Sequence, residues 1–139
     1  GLLTFEPVPV MFFNKKIINH RLDTLPQKIS NLKNKKLDFV IIQKFNRRFS
    51  KLSYQDFIYK VLHKEIKCKY LYVSKNFKFG FKRRGNINTL KKFEKKFNFK
   101  NIVTNPYIKN KKTISSSFIR KKIRAGKIEL INKLLKHMV

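Results

Sequence analysis

Tryptophan is absent from the 139 residues, alanine and cysteine each occur once, and glycine and proline occur four times each. The single Cys68 excludes an internal disulfide framework. One cysteine with His20, His63 and His137 scattered along the chain also offers no metal-ligand spacing, so no metal site is expected. The scarcity of glycine and proline excludes collagen-like and low-complexity chains. Apolar runs are short, none near the roughly 20 residues that cross a bilayer. The opening residues 1–13 contain Pro7 and Pro9 and lack a basic start, which does not fit a signal peptide. A reducing, cytoplasmic setting without a membrane partner is expected.

Acid is the other scarcity. Only 7 Asp and Glu stand against 35 Lys and Arg, a net charge of +28. Such a field attracts polyanions whatever its origin. The abundance of Lys, Asn, Ile, Phe and Tyr, all with AT-rich codons, supplies an origin unrelated to partners. The basic residues run from Lys15 to Lys136 without forming one tail or stripe. Nucleic acid is therefore expected only as a non-specific, electrostatic partner. Leu, Ile, Val and Phe make up about a third of the chain, enough for the core of one domain over residues 1–139.

Strand and helix signals alternate. Residues 1–5 are an apolar strand-like run, and residues 6–21 read as an ordered, proline-stiffened loop rather than a helix. Leu25, Ile29 and Leu32 recur at helical spacing after Thr24, and the lysines at 33–36 end that helix. Residues 37–42 read as a strand covered on both faces, and Ser53 caps a helix carrying Phe57, Ile58, Val61 and Leu62. Residues 70–73 read as a second buried strand, 76–85 as an aromatic and basic loop, 86–96 as a helix and 101–104 as a further strand. Ser115 opens a helix with Ile119 and Ile123 one turn apart. A last helix follows Gly126, with Ile128, Ile131 and Leu135 turned inward. This alternation predicts βαβ units and a mainly parallel sheet flanked by helices. The lysines at 109–112 read as a solvated loop.

Three stretches carry chemistry. In Thr113-Ile-Ser-Ser-Ser-Phe-Ile-Arg120, three hydroxyls stand at a helix start and an arginine follows one turn later. Ser115 caps the helix. Ser116 and Arg120 share a face with Ser117 close by, so that amides, dipole and guanidinium form an anion site. The competing reading is an ordinary N-cap followed by surface basics. Around Asn76, three phenylalanines (Phe77, Phe79 and Phe81) alternate with cations, which suits stacking a planar ring beside a phosphate. Phenylalanines at that spacing equally suit a core-facing segment. The third stretch, residues 3–13, places Pro7 and Pro9 in a stiff loop that closes around a ligand at low entropic cost, or simply connects two elements.

Taken in order, these stretches resemble the adenylyltransferase half of the bifunctional riboflavin kinase/FMN adenylyltransferase family. The family's Thr-Phe-x-Pro-x-Pro segment and following Arg-Leu pair match residues 4–9 and Arg21-Leu22. Its Phe-Asp-x-x-Phe stretch is echoed by Phe45-Asn-Arg-Arg-Phe49 and its Leu-Ser/Thr-x-x-x-Phe helix by Leu52-Ser-Tyr-Gln-Asp-Phe57. Its Asn-Phe-x-Phe-Gly loop with Arg-x-Gly matches residues 76–80 and 83–85, and its Ile-Ser-Ser-Thr-x-x-Arg signature matches residues 114–120, with Ser117 in the threonine place. Ser74, Lys75 and Val8 depart from the usual residues. The family's Gly-x-Phe-Asp-Gly-x-His-x-Gly-His segment is not in the chain; it belongs on a strand and helix before Gly1, as the kinase half belongs after Val139. By resemblance the chain is an FMN-adenylylating domain lacking that segment and is inactive by itself.

The resemblance implies a Rossmann-like nucleotidyltransferase fold. It implies transfer of AMP from ATP, as its Mg²⁺ complex, to FMN, with FAD and pyrophosphate as products. Arg120, Ser116 and Asn76 are then the catalytic candidates, and Ser115, Ser116, Ser117 and Arg120 the ATP ligands. Phe5, Pro7, Pro9, Asn76 and Phe77 become the flavin contacts. Two rivals stand beside this: a basic nucleic-acid-binding α/β module reading through the loop at Phe77 to Arg84, and a fragment that keeps the fold without the reaction.

Overall fold

A computed structural model describes residues 1–17, 20–109 and 111–136. The element order is β1 (Leu2–Glu6), α1 (Pro9–Phe13), α2 (Leu25–Lys33), β2 (Val40–Lys44), α3 (Arg47–Ser50) and α4 (Tyr54–Asp56). Helix α4 runs on into π-type turns at Phe57–Glu65. Then come β3 (Tyr70–Ser74), a 3₁₀ turn (Phe81–Arg83), α5 (Ile87–Phe97), β4 (Lys100–Thr104), the short β5 (Ile108–Lys109) and β6 (Lys112–Thr113), α6 (Ser116–Arg124) and α7 (Ile128–Lys136).

The predicted alternation is present, but the strands do not merge into one sheet. β1 lies parallel to β2, with Leu2 opposite Val40 and Glu6 opposite Lys44. β3 lies parallel to β4, with Tyr70 opposite Lys100 and Ser74 opposite Thr104. Among the described residues the two pairs share no ladder. Between them runs an apolar groove of about 450 Å³, lined by Leu2, Leu3 and Phe5 on one side and Leu71, Tyr72 and Val73 on the other. β5 and β6 form a small antiparallel hairpin, turning through the positive-φ Lys111.

Helix starts follow the side-chain chemistry of their caps. Thr24 accepts from the Gln27 amide and Asn86 from the Thr89 amide, each with the return bond of a capping box. Asn46 caps α3, Ser53 caps α4 and Ser115 caps α6. Such caps contribute about 1 kcal/mol each. α5 ends on Asn98 in the left-handed region, which asparagine tolerates better than most residues.

The main core gathers Phe57, Ile58, Val61 and Leu62 from the π-turn stretch against Leu90 of α5, Val73 of β3, Phe79 and Phe99. A second, smaller cluster holds Ile114, Ile119 and Ile131, with Phe118 packed against it.

Four expectations need correction. The proline loop contains a short helix, α1, because Pro9 occupies the first helical turn, where a missing N–H costs nothing. β2 starts at Val40 and is only half-covered. Ile42 within it and Phe39 just before it, on opposite faces, stay 42% and 55% exposed, so neither face is fully covered. β3 buries Val73, yet Tyr70 and Tyr72 are 64% and 66% exposed, their alternate positions facing away from the core. Ile128 is 58% exposed: it begins α7 before the helix reaches Ile131, which is buried. The predicted inward position of Leu135 lies outside the described side chains.

Candidate active site

In open α/β folds ligands gather beyond the carboxyl ends of the strands. At the end of β1 the Phe45 amide donates to the Glu6 carbonyl at 2.8 Å, so β2 hands its next residue directly to the ending of β1. There the phenylalanines collect. Phe45 lies edge-on to Phe5, Phe12 and Phe49, with ring centroids 6.0, 5.3 and 5.8 Å away. Phe5, Phe45 and Phe49, together with Pro9 and Phe13 of α1 and Phe77 and Phe79 of a later loop, wall a cavity of about 590 Å³. That volume lies within the usual range for small-molecule and cofactor sites. Lys78, Lys82 and Arg83 are the charged members of its lining, and Asn14 and Ser50 the neutral polar ones.

Backbone geometry explains the glycines of the aromatic loop. Gly80 adopts φ 71°, and a Cβ there would meet the Tyr54 backbone nitrogen at 2.7 Å. Its neighbour Phe81 donates its amide to the Leu52 carbonyl at 2.6 Å, which docks the loop on the start of α4. Phe79 bridges to Gly85, whose missing side chain leaves room for the Phe79 ring. Phe77 and Phe79 stack at 5.3 Å, and Phe79 is buried. Both readings of these rings therefore meet: they face inward and in doing so form a wall of the cavity. They do not present the open platform that single-stranded nucleic acid stacks upon.

The serine-rich helix start is exposed at Ser115, Ser116 and Ser117. Ser115 Oγ accepts from the Phe118 amide at 3.2 Å. The first amides of α6 have no intrahelical acceptors, as at any helix start. Arg120 points back along the helix: Nη2 donates to Ser117 Oγ at 3.3 Å and Nη1 donates to the His20 carbonyl at 3.2 Å. Two of the five guanidinium hydrogens are thus engaged, leaving three for an anion. Burial first, then the Arg120 and Arg124 charges, lower the pKa of the His20 imidazole from 6.5, so it is neutral near pH 7. His20 was expected as an incidental residue, and nothing in its sequence neighbourhood signals this contact, which spans 100 positions.

Of the residues named as flavin contacts, Phe5, Pro9 and Phe77 line the aromatic cavity. Pro7 stands one step back, joined to Glu6 by a cis peptide. Asn76 is exposed at the turn after β3 and does not line the cavity, although Phe77 beside it does. Phe13, Phe45 and Phe49 line the cavity too, without having been singled out in the sequence as site residues; the Phe45 and Phe49 spacing was their only signal. Among the described residues no group of three His, Cys, Asp or Glu side chains could hold a metal ion.

The order of these parts along the chain decides the family. A family model described as FAD synthetase matches residues 1–118, covering β1, both proline positions, the aromatic loop and the serine helix start. The chain belongs to the FAD synthetase family. Bifunctional riboflavin kinase/FMN adenylyltransferases are among its relatives. That of Buchnera aphidicola from Schizaphis graminum is 42% identical over 96% of this chain and 43% of its own length. That of Escherichia coli K12 is 31% identical over 98% of this chain and 44% of its own. The chain thus spans less than half the length of these relatives. A solved structure described as a macrolide-efflux protein from Streptococcus pneumoniae superposes with a TM-score of 0.69. At 20% identity, over 88% of this chain and 40% of that one, it supports the fold alone.

Proposed function

We propose that, within the whole protein, this domain transfers AMP from ATP to FMN, forming FAD and pyrophosphate. One observation carries this reading: a family member of this kind has, at the end of β1, an aromatic cavity of about 590 Å³ with three cations in its lining. A flavin is a flat, three-ring group with a phosphate tail. Edge-on and stacked phenylalanines suit the rings, and Lys78, Lys82 or Arg83 suits the tail.

In the reaction an oxygen of the FMN phosphate attacks the α-phosphorus of ATP. A new P–O–P link forms, the bond between the α-phosphorus and its bridging oxygen breaks, and pyrophosphate leaves with the electron pair. The chain's task is positioning and charge stabilisation. Ser116, Ser117 and the first amides of α6 hold the phosphate chain, with Arg120 offsetting the charge that builds on the leaving group. Asn76, exposed beside the cavity, anchors FMN near the reacting atoms. ATP enters as its magnesium complex.

Removing a preorganised donor of this kind costs about 3 kcal/mol of transition-state stabilisation. Arg120→Ala should therefore lower turnover about a hundredfold, followed as FAD formed from ATP and FMN. Turnover near wild type in that variant removes Arg120 from the site. The high positive charge binds polyanions non-specifically, with an affinity that should fall steeply with salt and ignore substitution of Phe77.

A further inference from the structure

We propose that Arg21 is a positioning residue that couples the two halves of the site, holding the phosphate-gripping arginine in register with the aromatic cavity. The inference rests on the assignment of those halves above.

Arg21 Nη2 is paired with Glu6 Oε1, the two side chains 30% and 28% exposed. With 35 cations and only 7 acids, most basic residues have no acid to meet. The other ion pair among the described residues, Lys60 with Asp56, joins neighbouring turns of one helix. The Arg21–Glu6 pair instead spans 15 positions and fastens a loop to the end of β1. Arg21 Nε lies buried without a hydrogen-bond partner among the described residues.

Both ends of the pair lead to the site. On the Glu6 side, the backbone carbonyl accepts from Phe45, a cavity wall, and the chain passes through Pro7 to Pro9 and Phe13, which are walls too. On the Arg21 side, the preceding residue offers its carbonyl to Arg120. α6 rests on its own small apolar cluster with α7, apart from the main core. The sequence of contacts from Arg120 to the His20 carbonyl, Arg21, Glu6 and Phe45 therefore forms a strut between the two. Arg21 need not touch either substrate to act through it.

The test compares Arg21→Met, Arg21→Lys, Arg120→Ala and the Arg21→Met/Arg120→Ala double variant in the whole protein, each checked by thermal unfolding. Misplacing the guanidinium should lower kcat of Arg21→Met about tenfold and leave FMN affinity within about twofold. Arg21→Lys, which still reaches Glu6, should recover most of the loss. In the Arg120→Ala background Arg21→Met should add little, because the strut then ends on nothing. Independent multiplication of the two losses, or wild-type kcat in Arg21→Met, overturns the inference.

A second readout needs no activity. The His20 imidazole, which faces Arg120 and Arg124 of α6 and adjoins Arg21 on its own loop, should titrate below its ordinary value in the wild type and return toward it in Arg21→Met, followed by NMR. An unchanged His20 titration overturns the strut even if FAD is formed. Absence of FAD formation by wild-type protein overturns the proposed function instead, leaving the His20 signal to decide whether the strut exists.

Discussion

The two ends of the proposed site are built on unequal foundations. The aromatic cavity is continuous with the main core: Phe49 packs edge-on to Phe57 at 6.2 Å, and Phe57 lies tilted against Phe79 at 5.3 Å. The serine-rich helix start stands on the small cluster of Ile114, Ile119 and Ile131, tied to the N-terminal loop through Arg120 and the His20 carbonyl. A rigid apolar pocket suits a flat ring that binds before chemistry. A lightly held cationic element suits phosphates, whose geometry changes during the reaction.

The largest effects should separate these foundations. Ile58 and Leu90 have no exposed surface, and truncation of either to alanine should cost 2–5 kcal/mol, or about that, in urea unfolding. Ile119→Ala should leave the main unfolding transition nearly in place while raising amide exchange in α6 and α7. Equal losses of global stability from Ile58→Ala and Ile119→Ala would show one cooperative core and break the comparison.

Smaller effects sharpen it. Ser115→Ala removes the α6 cap and should loosen that helix by about 1 kcal/mol, read as faster exchange at the Phe118 amide, with FMN affinity unchanged. His20 supplies a pH test. Its folded pKa is depressed, so the unfolded chain binds the proton more readily. Its contribution is complete above 6.5 and is lost as pH falls through the folded pKa. His20→Gln should flatten the pH dependence of α6 amide exchange in that acidic window, a modest change because the ring is partly exposed. An identical pH profile in the variant would separate His20 from α6.

Much of the architecture was legible from residue pattern. Ser53 and Ser115 declared their helices because capping is local chemistry, and Leu25, Ile29 and Leu32 declared a face by spacing alone. The failures concern what lies across space. Tyr70 and Tyr72 carry strong strand propensity, yet nothing in their own sequence says whether another layer covers them. α1 was hidden by its prolines, although Pro9 stands at the helical position that accepts one. At the site, the Ser115–Arg120 stretch and Pro9 were readable because cap, dipole and stiff turn are short-range features. The contacts of Phe45 with Phe5 and of Arg120 with His20 join distant segments, and no local signal encodes them. Asn76 shows the converse, a residue prominent in sequence whose side chain lies outside the cavity wall.

The most direct measurement of the central claim is FMN titration by quenching of its fluorescence, in wild-type protein, Phe45→Ala and Arg120→Ala. Phe45 is a half-buried wall of the cavity, and losing its ring contact with a bound flavin should cost about 1.4 kcal/mol, so Phe45→Ala should bind FMN about tenfold more weakly while Arg120→Ala binds it as the wild type does. FMN affinity undiminished in Phe45→Ala would contradict the assignment of the aromatic cavity to the flavin.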